Sequence, residues 1–191
     1  MLNNQIALLA IDFQVDFLHA DGRFPVAQHQ VEPMLTAANH LIAAARSYHT
    51  PVIYIGNEYG SRNLLNVFRN NAALKGSSGM QIDSRLLYAN DHYFPKDQSS
   101  AFTNSQLDLF LRQQTIKHLL LTGVYATACV RKTALDGLKY GYQVSLMSDA
   151  VADKNDQRRN AALKELERKG ICILTSTDWL EEMSKATTSV M

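Results

Sequence analysis

The sequence predicts an α/β fold, with a mostly parallel, doubly wound sheet of six strands and helices on both faces. Short apolar runs alternate along the chain with longer segments of helical periodicity, an alternation that is typical of parallel strands joined by crossover helices. No Pro-, Gly- or Ser-rich linker and no charge run divides the 191 residues. We therefore expect one domain over residues 1–191, with an irregular insertion or lid at about residues 57–92, where Asn, Gly and Ser replace the periodic pattern.

The strands are predicted from apolar runs that are short enough to be buried in a parallel sheet. The first run is nearly continuous and closes on a carboxylate, Asp12. Pro51 introduces the second run, and Pro95 lies near the end of the third, where a missing N–H can be tolerated. The predicted strands are residues 5–12, 52–55, 92–96, 117–122, 143–147 and 171–174.

Helices are predicted between the strands from apolar residues spaced three and four apart. Thr50-Pro51 ends the first helix, and Gly141 and Gly170 end two later ones, as residues free to adopt a positive φ would. The predicted helices are residues 31–49, a short one at 64–74, about 104–114, 127–139, 154–169 and about 177–185.

Composition narrows the class of protein. Lys plus Arg number 19 against 18 Asp plus Glu, and no predicted helix carries a basic stripe, so we expect no nucleic-acid partner. The longest apolar run, residues 6–11, is too short to span a membrane, and the first residues lack the pattern of a signal peptide. These observations favour a cytoplasmic protein with no membrane partner.

The segment from Gly123 to Val130 is the first candidate for chemistry. It follows a buried strand and places Cys129 in the first turn of the next predicted helix, where unpaired N–H groups and the helix dipole favour a thiolate and can hold an oxyanion. The alternative for Cys129 is a small buried core residue. Cys172 lies within an apolar strand and is predicted to be core, and the two cysteines, in separate elements, are predicted to be free thiols.

Two more polar residues end predicted strands, Asp12 and Lys96. Because ligands bind outside the carboxyl ends of the strands in such a sheet, we expect both side chains near Cys129. A carboxylate can accept the thiol proton, and an ammonium can orient the carboxylate and favour the thiolate. Taken singly, an Asp at this place is often only a turn former, and most lysines are solvated.

We expect no cofactor and no metal. The six histidines form no HxH or HExxH arrangement, and the glycines form no GxGxxG or Walker pattern. Trp179 follows a predicted helix cap and is expected to pack against the sheet.

Three segments together resemble the isochorismatase-like cysteine hydrolases. They are Ala-Ile-Asp-Phe-Gln-Val-Asp-Phe at residues 10–17, Lys96 ahead of Ser-Ala-Phe at residues 100–102, and Gly-Val-Tyr-Ala-Thr-Ala-Cys-Val at residues 123–130. The resemblance spans nearly the whole chain in order. It implies a three-layer α/β/α fold and a homo-oligomer, either a dimer or a tetramer.

The resemblance also implies roles for individual residues. The catalytic triad would be Asp12, Lys96 and Cys129, the peptide between Val124 and Tyr125 would be cis, and the N–H groups of Tyr125 and Cys129 would form the oxyanion hole. Phe17 and Phe102 match aromatic positions near the substrate pocket of the family, although either could be ordinary core. The segment after the second strand would set specificity, with Tyr59, Arg62, Phe68, Arg69 and Arg85 as unranked candidates and Tyr59 as the one we place in the pocket.

Departures from the family pattern bear on the reaction. Nicotinamidases carry Asp-x-His for a metal, whereas this chain reads Gly-Asn-Glu-Tyr at residues 56–59. The ether-cleaving branch shares Gly-Val-Tyr-Ala but has glycine in place of Cys129, and many amidases have Thr and an acidic residue at the positions of Ala126 and Thr127. We expect hydrolysis of a small amide or ureide through a thioester, and two alternatives stay open: isochorismatase-type ether hydrolysis, and a non-catalytic binding or assembly subunit.

Overall fold

The computed structural model describes residues 5–62, 64–89 and 92–188. Its sheet has six strands, all parallel, in the order β3-β2-β1-β4-β5-β6. The predicted α/β fold is therefore confirmed, and the sheet is wholly parallel. The strands are β1 (Ile6–Ile11), β2 (Val52–Asn57), β3 (Tyr93–Lys96), β4 (His118–Val124), β5 (Gln143–Ala152) and β6 (Cys172–Leu174).

Helices connect the strands. They are α1 (Val15–Leu18), α2 (Gln28–Ser47), α3 (Ser105–Gln113), α4 (Cys129–Lys139), α5 (Asp156–Arg168) and α6 (Ser176–Thr188), with short 3-10 helices at Leu64–Arg69, Ser78–Met80 and Ala101–Thr103. The sequence patterns missed α1, and the helix predicted at 64–74 is only the 3-10 helix Leu64–Arg69. Within the described residues, no helix is both long enough and apolar enough to cross a membrane.

Helices cover both faces of the sheet, which gives three layers. On one face, Leu8 and Ala10 of β1 pack into a core with α2 and α6, and on the other face Leu9 and Ile11 pack into a core with α3, α4 and α5. Burial of both faces explains why the central strands read as continuous apolar runs. Trp179 of α6 is buried in the first of these cores, as predicted.

Two predictions, one about β5 and one about β6, need correction. β5 runs to Ala152 rather than to residue 147, because its pairing with β4 resumes after a register shift between Leu121 and Gly123. Cys172 is exposed rather than part of the core, because it begins β6, a three-residue strand at the edge of the sheet.

The irregular segment between β2 and β3 is attached to the start of α1. The carboxylate of Asp16 accepts hydrogen bonds from the backbone N–H of Ala73 (2.8 Å) and of Arg23 (3.2 Å). Gln14 donates to the carbonyl of Met80 (2.7 Å), and the Asp16 carboxylate occupies the space that a side chain at Gly79 would need. These bonds hold the segment beside the carboxyl end of β1.

Candidate active site

Three strand ends bring the predicted triad residues together. Asp12 follows β1, Lys96 is the last residue of β3, and Cys129 begins α4 after β4. The Lys96 Nζ lies 2.9 Å from Asp12 Oδ2 and 3.4 Å from Cys129 Sγ. At 1%, 4% and 6% exposure, Asp12, Lys96 and Cys129 are all buried. The convergence expected at the carboxyl edge of the sheet is therefore present.

Asn57 completes the cluster, and the sequence interpretation missed it as a site residue. Its Oδ1 accepts a hydrogen bond from Lys96 Nζ (2.7 Å), and its Nδ2 lies 3.9 Å from Cys129 Sγ. Gln14 fixes the Asn57 backbone, since its side chain both accepts from the N–H and donates to the carbonyl at 2.8 Å. Asn57 is the last residue of β2, so the strand-end rule that selected Asp12 and Lys96 could have found it.

Burial dominates the electrostatics of the cluster. Desolvation raises the pKa of Asp12, although Lys96 and hydrogen bonds oppose the shift. Burial alone would lower the pKa of Lys96, but the attraction of Asp12 and Cys129 outweighs it, so this pKa lies above its ordinary value. Lys96 is therefore protonated and positively charged at neutral pH.

The resting thiol is protonated at neutral pH. Burial, followed by the negative charge of Asp12, raises the pKa of Cys129 to about 12, against the opposing effect of Lys96. The start of a helix favours a thiolate at Cys129, but burial and the nearby Asp12 carboxylate both act against one in the resting site. A nucleophilic sulfur here has to lose its proton to a base as it attacks.

The turn from β4 into α4 is fastened to the end of β5. The Ala126 N–H donates to the carbonyl of Ala152 (2.9 Å). The Thr127 N–H and hydroxyl both donate to the Asp153 carboxylate, at 2.8 and 2.6 Å, and Arg158 donates to both the carboxylate (3.0 Å) and the hydroxyl (3.1 Å). Asp153 is completely buried, so these bonds hold the turn firmly.

Two N–H groups of this turn stay unused. The N–H groups of Ala128 and Val130 donate to the carbonyl of Tyr125, whereas those of Tyr125 and Cys129 donate no hydrogen bond to any described residue. The Val124–Tyr125 peptide is cis, and no side chain caps the start of α4. These are the two donors that the family resemblance assigned to an oxyanion hole.

The aromatic residues expected near the pocket differ in their surroundings. The ring of Phe17 meets that of Tyr125 edge to face, with 5.8 Å between centroids. Tyr59 is buried, and its pKa is raised first by burial and then by electrostatic interaction with Cys129 and Asp12, so it lies within electrostatic reach of the reacting groups. Phe102 stacks on Tyr140 instead, with 4.8 Å between centroids.

A cavity of about 720 Å³ reaches the residues that precede Cys129. A smaller cavity of about 210 Å³ reaches Lys96 and shares Asp97 and Thr103 with the larger one. In the described part of the chain, no group of three or more His, Cys, Asp or Glu side chains could hold a metal ion. The larger cavity is lined by Arg69, Asp97, Gln98, Ser99, Ser100, Thr103, Thr127, Ala128, Arg131, Lys132 and Asp136.

The chain matches a protein-family model and is similar in sequence to known proteins. The isochorismatase domain model matches residues 6–178. A ureidoacrylate amidohydrolase, RutB of Enterobacter sp. (strain 638), is 25% identical over 204 residues, covering 93% of this chain and 89% of the relative.

Two solved structures share the fold. One is an isochorismatase-like hydrolase from Alkaliphilus metalliredigens, with a TM-score of 0.87, 24% identity and coverage of 94% of this chain and 99% of the other. The second is N-carbamoylsarcosine amidase from Thermoplasma acidophilum, with a TM-score of 0.79, 25% identity and coverage of 90% and 96%.

Proposed function

Because the chain belongs to the isochorismatase family of hydrolases, we propose that it hydrolyses a C–N bond of a small amide or ureide, with Cys129 as the nucleophile and without a cofactor. The observation that carries the proposal is the contact of one buried ammonium, Lys96 Nζ, with both the Asp12 carboxylate and the Cys129 sulfur. A base, a nucleophile and a cation within hydrogen-bond distance are the parts that covalent acyl transfer requires.

In the first half of the reaction, Asp12 takes the proton from Cys129 Sγ as the sulfur attacks the substrate carbonyl carbon. A raised pKa makes Asp12 a stronger base than an ordinary carboxylate, which suits the transfer from a thiol whose pKa is also raised. The negative charge that develops on the carbonyl oxygen is held by the N–H groups of Tyr125 and Cys129. Asp12 then returns the proton to the leaving nitrogen, the C–N bond breaks, and an acyl thioester stays on Cys129.

In the second half, water attacks the thioester carbonyl and gives its proton to Asp12. The C–S bond breaks, the acid leaves, and the proton returns to the sulfur, so the site regains its starting state. Lys96 and Asn57 act as positioning residues throughout. Lys96 fixes one oxygen of Asp12 and stabilises negative charge on the sulfur, while the other oxygen, Asp12 Oδ1, is buried and without a hydrogen-bond partner among the described residues, free to accept a proton.

Two observations support cleavage of a C–N bond rather than an ether bond. The thiol lies within the cluster rather than outside it, and ether hydrolysis has no need of a sulfur nucleophile. Relatives named as a ureidoacrylate amidohydrolase and an N-carbamoylsarcosine amidase are amide-type hydrolases by name. Both observations favour C–N hydrolysis over the ether-cleaving alternative.

A substrate panel separates the alternatives. We would assay the wild-type protein and Asp12→Asn for ammonia release from small primary amides and ureides, and for pyruvate release from isochorismate. We expect ammonia from at least one amide or ureide and its loss in Asp12→Asn. Pyruvate without ammonia would favour the ether hydrolase, and binding of these compounds without turnover would favour a non-catalytic subunit.

Two further properties stay predictions, a cytoplasmic location and assembly into a dimer or tetramer. Sedimentation of the purified protein at several concentrations tests the second of them.

A further inference from the structure

We infer that the substrate carries a carboxylate and that Arg69 binds it; this inference rests on the proposed amide hydrolysis and names the class of amide. The guanidinium of Arg69 forms no ion pair with any described residue and lies at the edge of the candidate active site, in a cavity that leads to the turn before Cys129.

Arg69 is close to the reacting groups through Tyr59. Its Cζ lies 3.8 Å from the centroid of the Tyr59 ring, and Tyr59 in turn interacts electrostatically with both Asp12 and Cys129. Arg69 also lines the 720 Å³ cavity together with Thr127 and Ala128, the two residues before Cys129. A substrate in this cavity with its carbonyl at Cys129 would have its remaining part near the guanidinium.

The neighbouring cations of the cavity already have partners. Arg131 forms a two-point ion pair with Glu165, at 2.6 and 3.1 Å, and Lys132 contacts Asp136 at 3.3 Å. Arg69 has no carboxylate within 4.0 Å among the described residues, and its Nη1 is a buried donor without a hydrogen-bond partner there. Among the three cations that line the cavity, Arg69 is therefore the one that is available to bind an anionic ligand.

A carboxylate matches the Arg69 guanidinium in both hydrogen bonding and charge. A guanidinium presents a planar fork of N–H donors that matches two carboxylate oxygens, and a buried donor without a partner gains most from receiving one. Contact with the Tyr59 ring limits the freedom of the guanidinium before the ligand arrives. Asp97, a carboxylate in the same lining, is exposed, so solvent screens its repulsion of an anionic ligand.

The test compares acids with their methyl esters as alkylating reagents for Cys129. The probes are N-bromoacetyl derivatives of glycine, β-alanine and 4-aminobutanoate, each as free acid and as methyl ester, so that three distances between sulfur and carboxylate are sampled. Mass spectrometry of digested protein gives the rate at Cys129. The rate at the exposed Cys172 of the same molecule supplies the intrinsic acid-to-ester ratio.

For at least one length, we expect the normalised ratio at Cys129 to exceed about 10 in the wild type and to fall to about 1 in Arg69→Met, which keeps an aliphatic chain against Tyr59. Arg69→Lys, which keeps the charge but loses the fork, should give an intermediate ratio. Arg62→Met removes an exposed arginine from the same segment and should leave the ratio unchanged. Thermal unfolding checks that each variant is folded.

Other outcomes overturn the inference in distinguishable ways. A wild-type ratio near 1 at all three lengths, or a high ratio that persists in both Arg69 variants, contradicts the role of Arg69 and leaves the amide hydrolase proposal intact. Failure of every reagent to alkylate Cys129 contradicts a sulfur nucleophile open to ligands, and with it the proposed function.

Discussion

Lys96 donates a 2.9 Å hydrogen bond to the carboxylate of Asp12, and solvent reaches at most 1% of either side chain. Because a buried charge without a partner is strongly destabilising, each of the two residues depends on the other to stay ionised. The same ammonium lies 3.4 Å from Cys129 Sγ. Both charges therefore act on the pKa of the thiol, which Asp12 raises and Lys96 lowers.

Removing the ammonium should change both rate and pH dependence. In Lys96→Met, burial of Asp12 loses its main opposing charge, so the pKa of Asp12 rises further. Asp12 acts as a base only when ionised, and the acid limb of the kcat/KM profile should therefore move to higher pH, with a loss of about 100-fold or more at neutral pH. Lys75→Met, at an exposed lysine of the neighbouring cavity, is the control and should leave the profile in place. An unshifted acid limb in Lys96→Met would contradict this role.

Asn57 should be required for activity although no sequence motif marks it. Asn57→Leu has similar volume but removes the acceptor that lies 2.7 Å from Lys96 Nζ. A lost hydrogen bond to a buried charge costs about 1.5–3 kcal/mol, so kcat/KM should fall by about 10- to 100-fold in steady-state assays. Asn160→Leu, at an exposed position on α5, serves as the control and should change little. Equal activity of the two variants would remove Asn57 from the mechanism.

The bond from Thr127 to Asp153 should hold the turn from β4 into α4 in place. Thr127→Val keeps the shape but loses the hydroxyl that donates to Asp153 at 2.6 Å. If the turn serves the transition state, kcat should fall about 10-fold with little change in KM, and Thr127→Ser should restore it. Steady-state kinetics of both variants measure this. An equal loss in Val and Ser would mean that the hydroxyl has no part in the effect.

Gly123 should be essential for stability. It has φ +117°, and a Cβ there would collide with the carbonyl oxygen of Ile11 in the adjacent strand. Gly123→Ala should lower the free energy of unfolding by about 3 kcal/mol or more, measured by urea denaturation. Gly60→Ala is matched in chemistry, but its Cβ would meet no atom within 4 Å, and we expect a small effect. Similar losses in both variants would contradict the steric argument.

Most of the fold could be predicted because strands that are buried on both faces have continuous apolar sequences. Apolar runs such as Ile6–Ile11 and the turn residues that follow the helices were enough for the order of elements. The length of β5 and the exposure of Cys172 could not be predicted in this way. They depend on a register shift and on which strand lies at the edge, and both are properties of the assembled sheet.

The site could be predicted in part. The strand-end rule brought Asp12, Lys96 and Cys129 together, and the family model confirms the resemblance that suggested their roles. The protonation state of the thiol could not be predicted from its local helix, because it is set by burial and by Asp12, a residue from a distant part of the sequence. The free N–H groups of Tyr125 and Cys129 were suggested by the resemblance, and the bonds of the turn supply a physical reason for them.

The central claim is a thioester on Cys129, and trapping this intermediate tests it most directly. Once the panel has yielded an amide or ureide substrate, the wild type and Cys172→Ser would be mixed with it, quenched in acid within milliseconds, and digested for mass spectrometry. We expect the mass of the acyl group on the Cys129 peptide in both proteins, and a loss of kcat of about 1,000-fold or more with no adduct in Cys129→Ala. Undiminished turnover in Cys129→Ala would contradict the account.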